Sequence, residues 1–208
     1  TYANRMPDPV LQQVEHFNNP NVTQNDAFKY VCRYFDRITR PEQILQTLPQ
    51  SIQTMLDPAD CGPACISLSQ DAQGEVFDYP EEFFRERIHS IRRPRADDYQ
   101  IKQAAEIIKN SKNPIIISGG GVFYSDAMLE LSSFAKKHNI PTAQTVMGYS
   151  TMKKDDPYFL GAIGGFGGKS TNNFMKKTDL AIAVGTKLAD FTTGSWSNFE
   201  NPKFKLVS

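Results

Sequence analysis

The pattern of apolar and polar positions is most regular after about residue 98. Ile101, Ala104, Ala105 and Ile108 recur at helical spacing. Asn113-Pro114-Ile115-Ile116-Ile117-Ser118 then sets three β-branched residues in a row ahead of Gly119-Gly120-Gly121. Such a run reads as a strand buried on both faces that ends in a tight loop. Helical spacing resumes at Ala127, Met128, Leu131, Phe134 and Ala135. The pattern predicts a helix over 99–111, a strand over 114–118, a helix over 125–138 and a strand over 141–145. A helix from about 170 and strands over 180–185 and 204–207 follow. Asp98 is the expected N-cap of the first helix and Asn139 the C-cap of the second. Leu180-Ala181-Ile182-Ala183-Val184-Gly185-Thr186 repeats the motif of apolar strand and glycine. Alternating units of this kind build an α/β fold with a parallel sheet covered on both faces.

The first half of the chain is less regular. Asp8 and Pro9 predict a capped short helix over 10–15. The aromatic stretch 26–38, with Phe28, Tyr30, Tyr34 and Phe35, reads as core-facing. Thr39-Arg40-Pro41-Glu42 has the spacing of a capping box, with Thr39 at the N-cap. The helix behind it carries Leu45, Leu48, Ile52, Met55 and Leu56 as its apolar stripe, and Pro49 is expected to kink or split it. Residues 63–68 read as a buried strand. From Tyr79 to Asp98 the chain turns charged and proline-interrupted. The division expected is part of one α/β domain over 1–88, a linker over 89–98, and a Rossmann-like doubly wound domain over 99–208.

Charge removes several function classes. Lys and Arg number 23, as do Asp and Glu, so no electrostatic attraction to nucleic acid or anionic membrane is expected. The arginines at 87, 92, 93 and 95 are offset by Glu81, Glu82, Glu86, Asp97 and Asp98. Apolar runs are only a few residues long, too short for a membrane span. Three cysteines, Cys32, Cys61 and Cys65, point to reduced thiols and a cytoplasmic setting, and no metal site is expected of them.

Candidate chemistry gathers at glycines beyond strand ends, where ligands of open parallel sheets sit. Gly119, Gly120, Gly121, Gly164, Gly165, Gly167, Gly185 and Thr186 are the candidate cofactor-binding residues. A nicotinamide site is not expected. Tyr124 stands where the dinucleotide fingerprint needs glycine or alanine, and Gln144-Thr145-Val146 stands where it needs an acid. Gly168-Lys169-Ser170 ends like a P-loop, but the first required glycine falls on Ile163. No catalytic side chain stands out by spacing.

The segment from Lys112 to Val122 resembles the opening of the central domain of the thiamine diphosphate-dependent enzymes of the acetolactate synthase group. So do Ile140-Pro141-Thr142, Gly148, Asp156-Pro157 with Leu160-Gly161, Gly164 with Gly167, Asp179-Leu180 with Val184-Gly185-Thr186, and Asp190 with Thr193-Gly194. Leu48-Pro49, Gly62-Pro63 and Gln70-Asp71 resemble the second half of that family's pyrimidine-binding domain. Ala3-Asn4-Arg5, the stretch 7–15 and Asp190-Phe191-Thr192-Thr193 are most similar to its inositol-catabolism branch, which opens a cyclic diketone by C–C hydrolysis. The resemblance implies a part of a longer homodimeric or homotetrameric enzyme whose cofactors are thiamine diphosphate and Mg2+. It puts the catalytic carboxylate ahead of Thr1 and the diphosphate–metal motif after Ser208, so this chain alone is expected to be inactive. Flavin (FAD) is not expected. A carboligase of the same group, a free-standing nucleotide-binding module and a dimerisation piece are the alternatives.

Overall fold

The computed structural model describes residues 18, 19 and 22–208, so the helix expected over 10–15 lies outside the described residues. The chain divides between Pro94 and Arg95 into two compact units.

In the first unit a 3-10 turn, Gln24–Tyr30, precedes strand β1, Tyr34–Ile38. A second 3-10 turn, Pro41–Gln43, runs into helix α1, Ile44–Met55. Strand β2, Ala64–Leu68, lies parallel to β1, with Tyr34 beside Ala64 and Ile38 beside Leu68, and the short helix α2, Gln70–Gln73, follows. Several expectations are corrected here. The aromatic stretch is not core-facing: Tyr30 is 92% exposed, and Ile38 alone in β1 is buried. Strand β2 buries only Ser67. The cap of the 41–43 turn is made by Gln43, not Glu42, because its Oε1 accepts from the backbone N–H groups of Thr39 (2.7 Å) and Arg40 (3.0 Å). Helix α1 continues through Pro49 as one α-helix. Its two buried residues are Thr47 and Ser51, while Leu48 and Met55 of the apolar stripe are exposed.

The second unit is a five-stranded parallel sheet. Helix α3 (Asp98–Lys109) leads to β3 (Pro114–Ser118). Helices α4 (Gly120–Tyr124) and α5 (Met128–His138) lead to β4 (Thr142–Gln144), and β5 (Phe159–Ala162) follows. Helix α6 (Lys169–Lys177), β6 (Leu180–Val184), α7 (Asp190–Thr193) and β7 (Lys205–Val207) complete it. The strand order is β5-β4-β3-β6-β7. Ile115, Ile117, Ala143, Ala181 and Ala183 form a core with Met175 of α6 on one face. Ile116, Leu180 and Ile182 form another with Leu131 and Ala135 of α5 on the other face. The doubly wound parallel sheet read from the sequence is therefore present.

Local differences have physical causes. The N-cap of α3 is Asp97, one residue earlier than expected, and its carboxylate accepts from the Gln100 N–H at 2.8 Å. Asn139 caps α5 in the left-handed region, φ +54°, as expected. Gly120 and Gly121 lie inside α4 rather than in a loop, the turn being held by Ser125 N–H to the Gly121 carbonyl at 3.0 Å. Strand β5 has no counterpart in the sequence reading. A bulge between Thr142 and Ala143 of β4 puts them beside Phe159 and Gly161, which breaks the alternation that marks a strand.

Candidate functional site

The chain runs outward from β3 through β4 to β5, then returns to add β6 and β7 on the other side of β3. The switch of direction falls between β3 and β6, and open α/β sheets bind ligands outside the carboxyl ends of strands at such a point. Gly119 follows β3 there, and Gly185 follows β6.

The two glycine turns are bonded to each other. The Gly119 N–H donates to the Val184 carbonyl and the Gly121 N–H to the Gly185 carbonyl, each at 2.9 Å. A Cβ on Gly119 would lie 2.3 Å from the Gly185 oxygen, and one on Gly121 would lie 2.6 Å from the Gly185 Cα. Gly185 has φ +59°, and its own Cβ would stand 2.6 Å from the Val122 nitrogen. These glycines are explained first by backbone approaching backbone. On the β4 side, the Thr145 N–H donates to the Ser118 carbonyl at 2.9 Å, and Thr145 Oγ1 accepts from the Gly148 N–H at 3.1 Å. Buried Ser118 and Thr151 share a hydrogen bond of 2.7 Å beneath this loop.

Above the zipped turns lies a cavity of about 460 Å³, whose floor includes Gly120, Gly121, Gly185 and Thr186. Its walls are chiefly apolar: Tyr124, Met147, Phe166, Leu188 and Phe191. The Phe166 and Phe191 rings stack at 5.8 Å between centroids. Among the described residues that line it, Lys187 alone is charged. Four of the eight candidate residues thus meet at this cavity. Gly119 is buried behind it. Gly164, Gly165 and Gly167 form a separate turn: a Cβ on Gly164 would meet the Phe191 carbonyl, and one on Gly167 would meet Ile163. That turn packs against α7 and carries Phe166 to the rim. Tyr124, Met147, Phe166 and Phe191 were missing from the candidate set. Their one signal in sequence is a large apolar residue close to a glycine turn and outside any helical or strand period.

At the opposite edge of the sheet, Asp179 ties β6 to the approach to β3. Its carboxylate accepts from Ser111 Oγ at 2.5 Å, from the Lys112 N–H at 2.8 Å and from the Asn113 N–H at 2.9 Å. Partial burial pushes this carboxyl upward, but these hydrogen bonds outweigh it and hold it below its ordinary value.

A family model described as thiamine pyrophosphate enzyme, central domain, matches residues 101–208. Over its whole length the chain is 49% identical to the 3D-(3,5/4)-trihydroxycyclohexane-1,2-dione hydrolase of Clostridium botulinum (strain Alaska E43 / Type E3), covering 32% of that protein. It is 48% identical to the protein of that name from Clostridium perfringens (strain 13 / Type A), of which it covers 33%. Against that from Listeria monocytogenes serovar 1/2a the identity is 44%, with 32% covered. The chain thus spans about a third of the length of the curated relatives it matches. With more than half of its residues matched, and with the doubly wound sheet built from those residues, the chain belongs to the thiamine pyrophosphate enzyme family and carries its central domain.

Proposed function

We propose that this chain is part of a thiamine diphosphate-dependent hydrolase that opens the ring of 3D-(3,5/4)-trihydroxycyclohexane-1,2-dione, adding water across a C–C bond to give 5-deoxyglucuronate. The observation that carries the reading is identity of 44–49% along the whole chain to proteins bearing that activity in their names. The same reading makes residues 1–88 part of a pyrimidine-binding-type domain, 89–98 a linker and 99–208 the central domain. The break between Pro94 and Arg95 supports it. A homodimer or homotetramer is part of the proposal, supported by exposed apolar residues such as Leu48, Met55, Tyr124 and Trp196. So is a cytosolic setting, supported by the three free thiols.

The coenzyme does not fit this chain's own residues. A diphosphate held by a divalent cation needs carboxylate or amide oxygens around the metal. The cavity at the switch point offers aromatic rings, glycine backbone and one lysine. Among the described residues no group of three or more His, Cys, Asp or Glu is placed to hold a metal ion. We therefore assign thiamine diphosphate and Mg2+ to the remainder of the longer protein, and no chemical step to this chain. Its contribution is a rigid sheet edge, with turns tied across the switch point and Tyr124, Phe166 and Phe191 presented above them.

The test is an assay of the longer polypeptide that contains this chain. Consumption of the diketone should require both thiamine diphosphate and Mg2+. Absence of consumption with both present overturns the proposal.

A further inference from the structure

Large apolar side chains gather beyond the carboxyl ends of four strands of the second unit. Tyr124 follows β3, Met147 and Tyr149 follow β4, Phe166 follows β5, and Phe191 and Trp196 follow β6. Their exposure runs from 51% at Trp196 to 76% at Tyr149. Tyr124, Met147, Phe166 and Phe191 line the one cavity at the switch point. With about 150–250 Å² on each aromatic side chain, the exposed parts of the six amount to roughly 700 Å². The largest apolar patch on a typical monomer is about 300–600 Å², and one side of a standard interface buries about 800 Å². The backbone that presents two of them is strained. Ser150, next to Tyr149, has φ +68°, and Ser195 and Trp196 have φ +52° and +66°, a region that residues other than glycine rarely occupy. The turns beneath hold little in reserve for a polar ligand, because the N–H groups of Gly119, Gly121, Thr145 and Gly148 all donate within the fold.

We infer that this rim is a docking surface for the part of the longer polypeptide that lies outside this chain, and that it meets an apolar, uncharged face there. The inference rests on the reading that the chain belongs to such a polypeptide. About two thirds of the length of its relatives lies outside the chain, which is ample to supply the partner. Charge selects the same kind of occupant. Lys187 alone among the described lining residues is charged, so the rim offers little to an anionic ligand or an ion-paired partner. Rings and a methionine are what the desolvated centre of an interface is made of, and their removal from water drives association. Strain in the turns that hold Tyr149 and Trp196 outward fits the same role, since such strain gathers where a surface is kept ready for a partner.

Hydroxyl-radical footprinting of the longer polypeptide, native and in urea, tests this. Oxidation of Tyr124, Met147, Tyr149 and Trp196 should be roughly tenfold or more slower in the native protein, as for the water-excluded centre of an interface. A rim left open to water would slow them by only about twofold or less, given their exposure in this chain. Tyr149→Cys, carrying a benzophenone maleimide, then identifies the occupant: on illumination its cross-links should fall on peptides outside residues 1–208. If the labelled variant does not fold, the footprint of the unaltered protein decides alone. Unslowed oxidation overturns the inference. So do cross-links confined to residues 1–208, which would mean a second copy of this rim, and protection lost when bound nucleotide is removed by dialysis. The footprint needs no turnover. A protected rim in a polypeptide that leaves the diketone intact sinks the hydrolase reading and keeps the docking surface, whereas an open rim in an active hydrolase does the reverse.

Discussion

Replacing Asp179 with Asn should destabilise the second unit from the edge opposite the cavity. The side chain takes hydrogen bonds from Ser111 Oγ and Asn113 N–H on one oxygen and from Lys112 N–H on the other. Asparagine keeps one acceptor oxygen and turns an NH2 group towards the remaining donor. A hydrogen bond to a charged group contributes about 1.5–3 kcal/mol, so the loss should be about 2 kcal/mol at pH 7, and Asp179→Ala should cost about 3 kcal/mol. For a unit of this size each kcal/mol moves the midpoint by about 4 °C, so Asp179→Asn should melt roughly 8 °C lower. The pH dependence follows from the sign of the shift. The folded state holds this carboxyl below its ordinary 3.8, so its contribution is complete above that value and is lost as pH falls through the lower folded value. Thermal unfolding by circular dichroism at pH 7, 5, 4 and 3 measures this. The gap between unaltered chain and variant should be widest at pH 7 and 5 and shrink towards pH 3. An unchanged midpoint at pH 7, or a gap that grows on acidification, refutes the reasoning.

Gly185→Ala should destabilise the same unit by about 1–3 kcal/mol, because φ +59° and a Cβ 2.6 Å from the Val122 nitrogen leave it no relaxed position; an unshifted melting curve contradicts this. Limited trypsin digestion should cut first near Arg92-Arg93, and a first cut inside 99–208 counts against the linker. Calorimetric titration of this chain with NAD or NADP should show no saturable heat, since Tyr124 stands exposed at the fingerprint's sixth position. Titration with thiamine diphosphate and magnesium should likewise show none, and stoichiometric binding would mean that the coenzyme ligands lie in this chain.

Strands buried on both faces were the most readable part of the sequence. Ile115-Ile116-Ile117 and Leu180-Ala181-Ile182-Ala183 are uninterrupted apolar runs because each face of the sheet carries its own core. Strand β5 escaped because Gly161, at φ +103°, sits in its middle beside a bulge. Helix α4 escaped because glycine is a poor helix former, and the turn is held in place by the facing Gly185 loop. The first unit was misread for a different reason. Helix α1 buries Thr47 and Ser51 and exposes Leu48 and Met55, the reverse of what an apolar stripe implies. At the site, the glycines revealed where the turns come together. They did not reveal the rings above them, because Tyr124, Phe166 and Phe191 follow no period.

The central proposal is that the longer protein cleaves a cyclic diketone with water. The most direct measurement is one preparation of that longer polypeptide, loaded with thiamine diphosphate and magnesium and given either 3D-(3,5/4)-trihydroxycyclohexane-1,2-dione or pyruvate. Ring opening of the diketone to an open-chain acid, stopped by removing the coenzyme and accompanied by no acetolactate from pyruvate, is the predicted result. Acetolactate formation with the diketone untouched would contradict it and make the protein a carboligase.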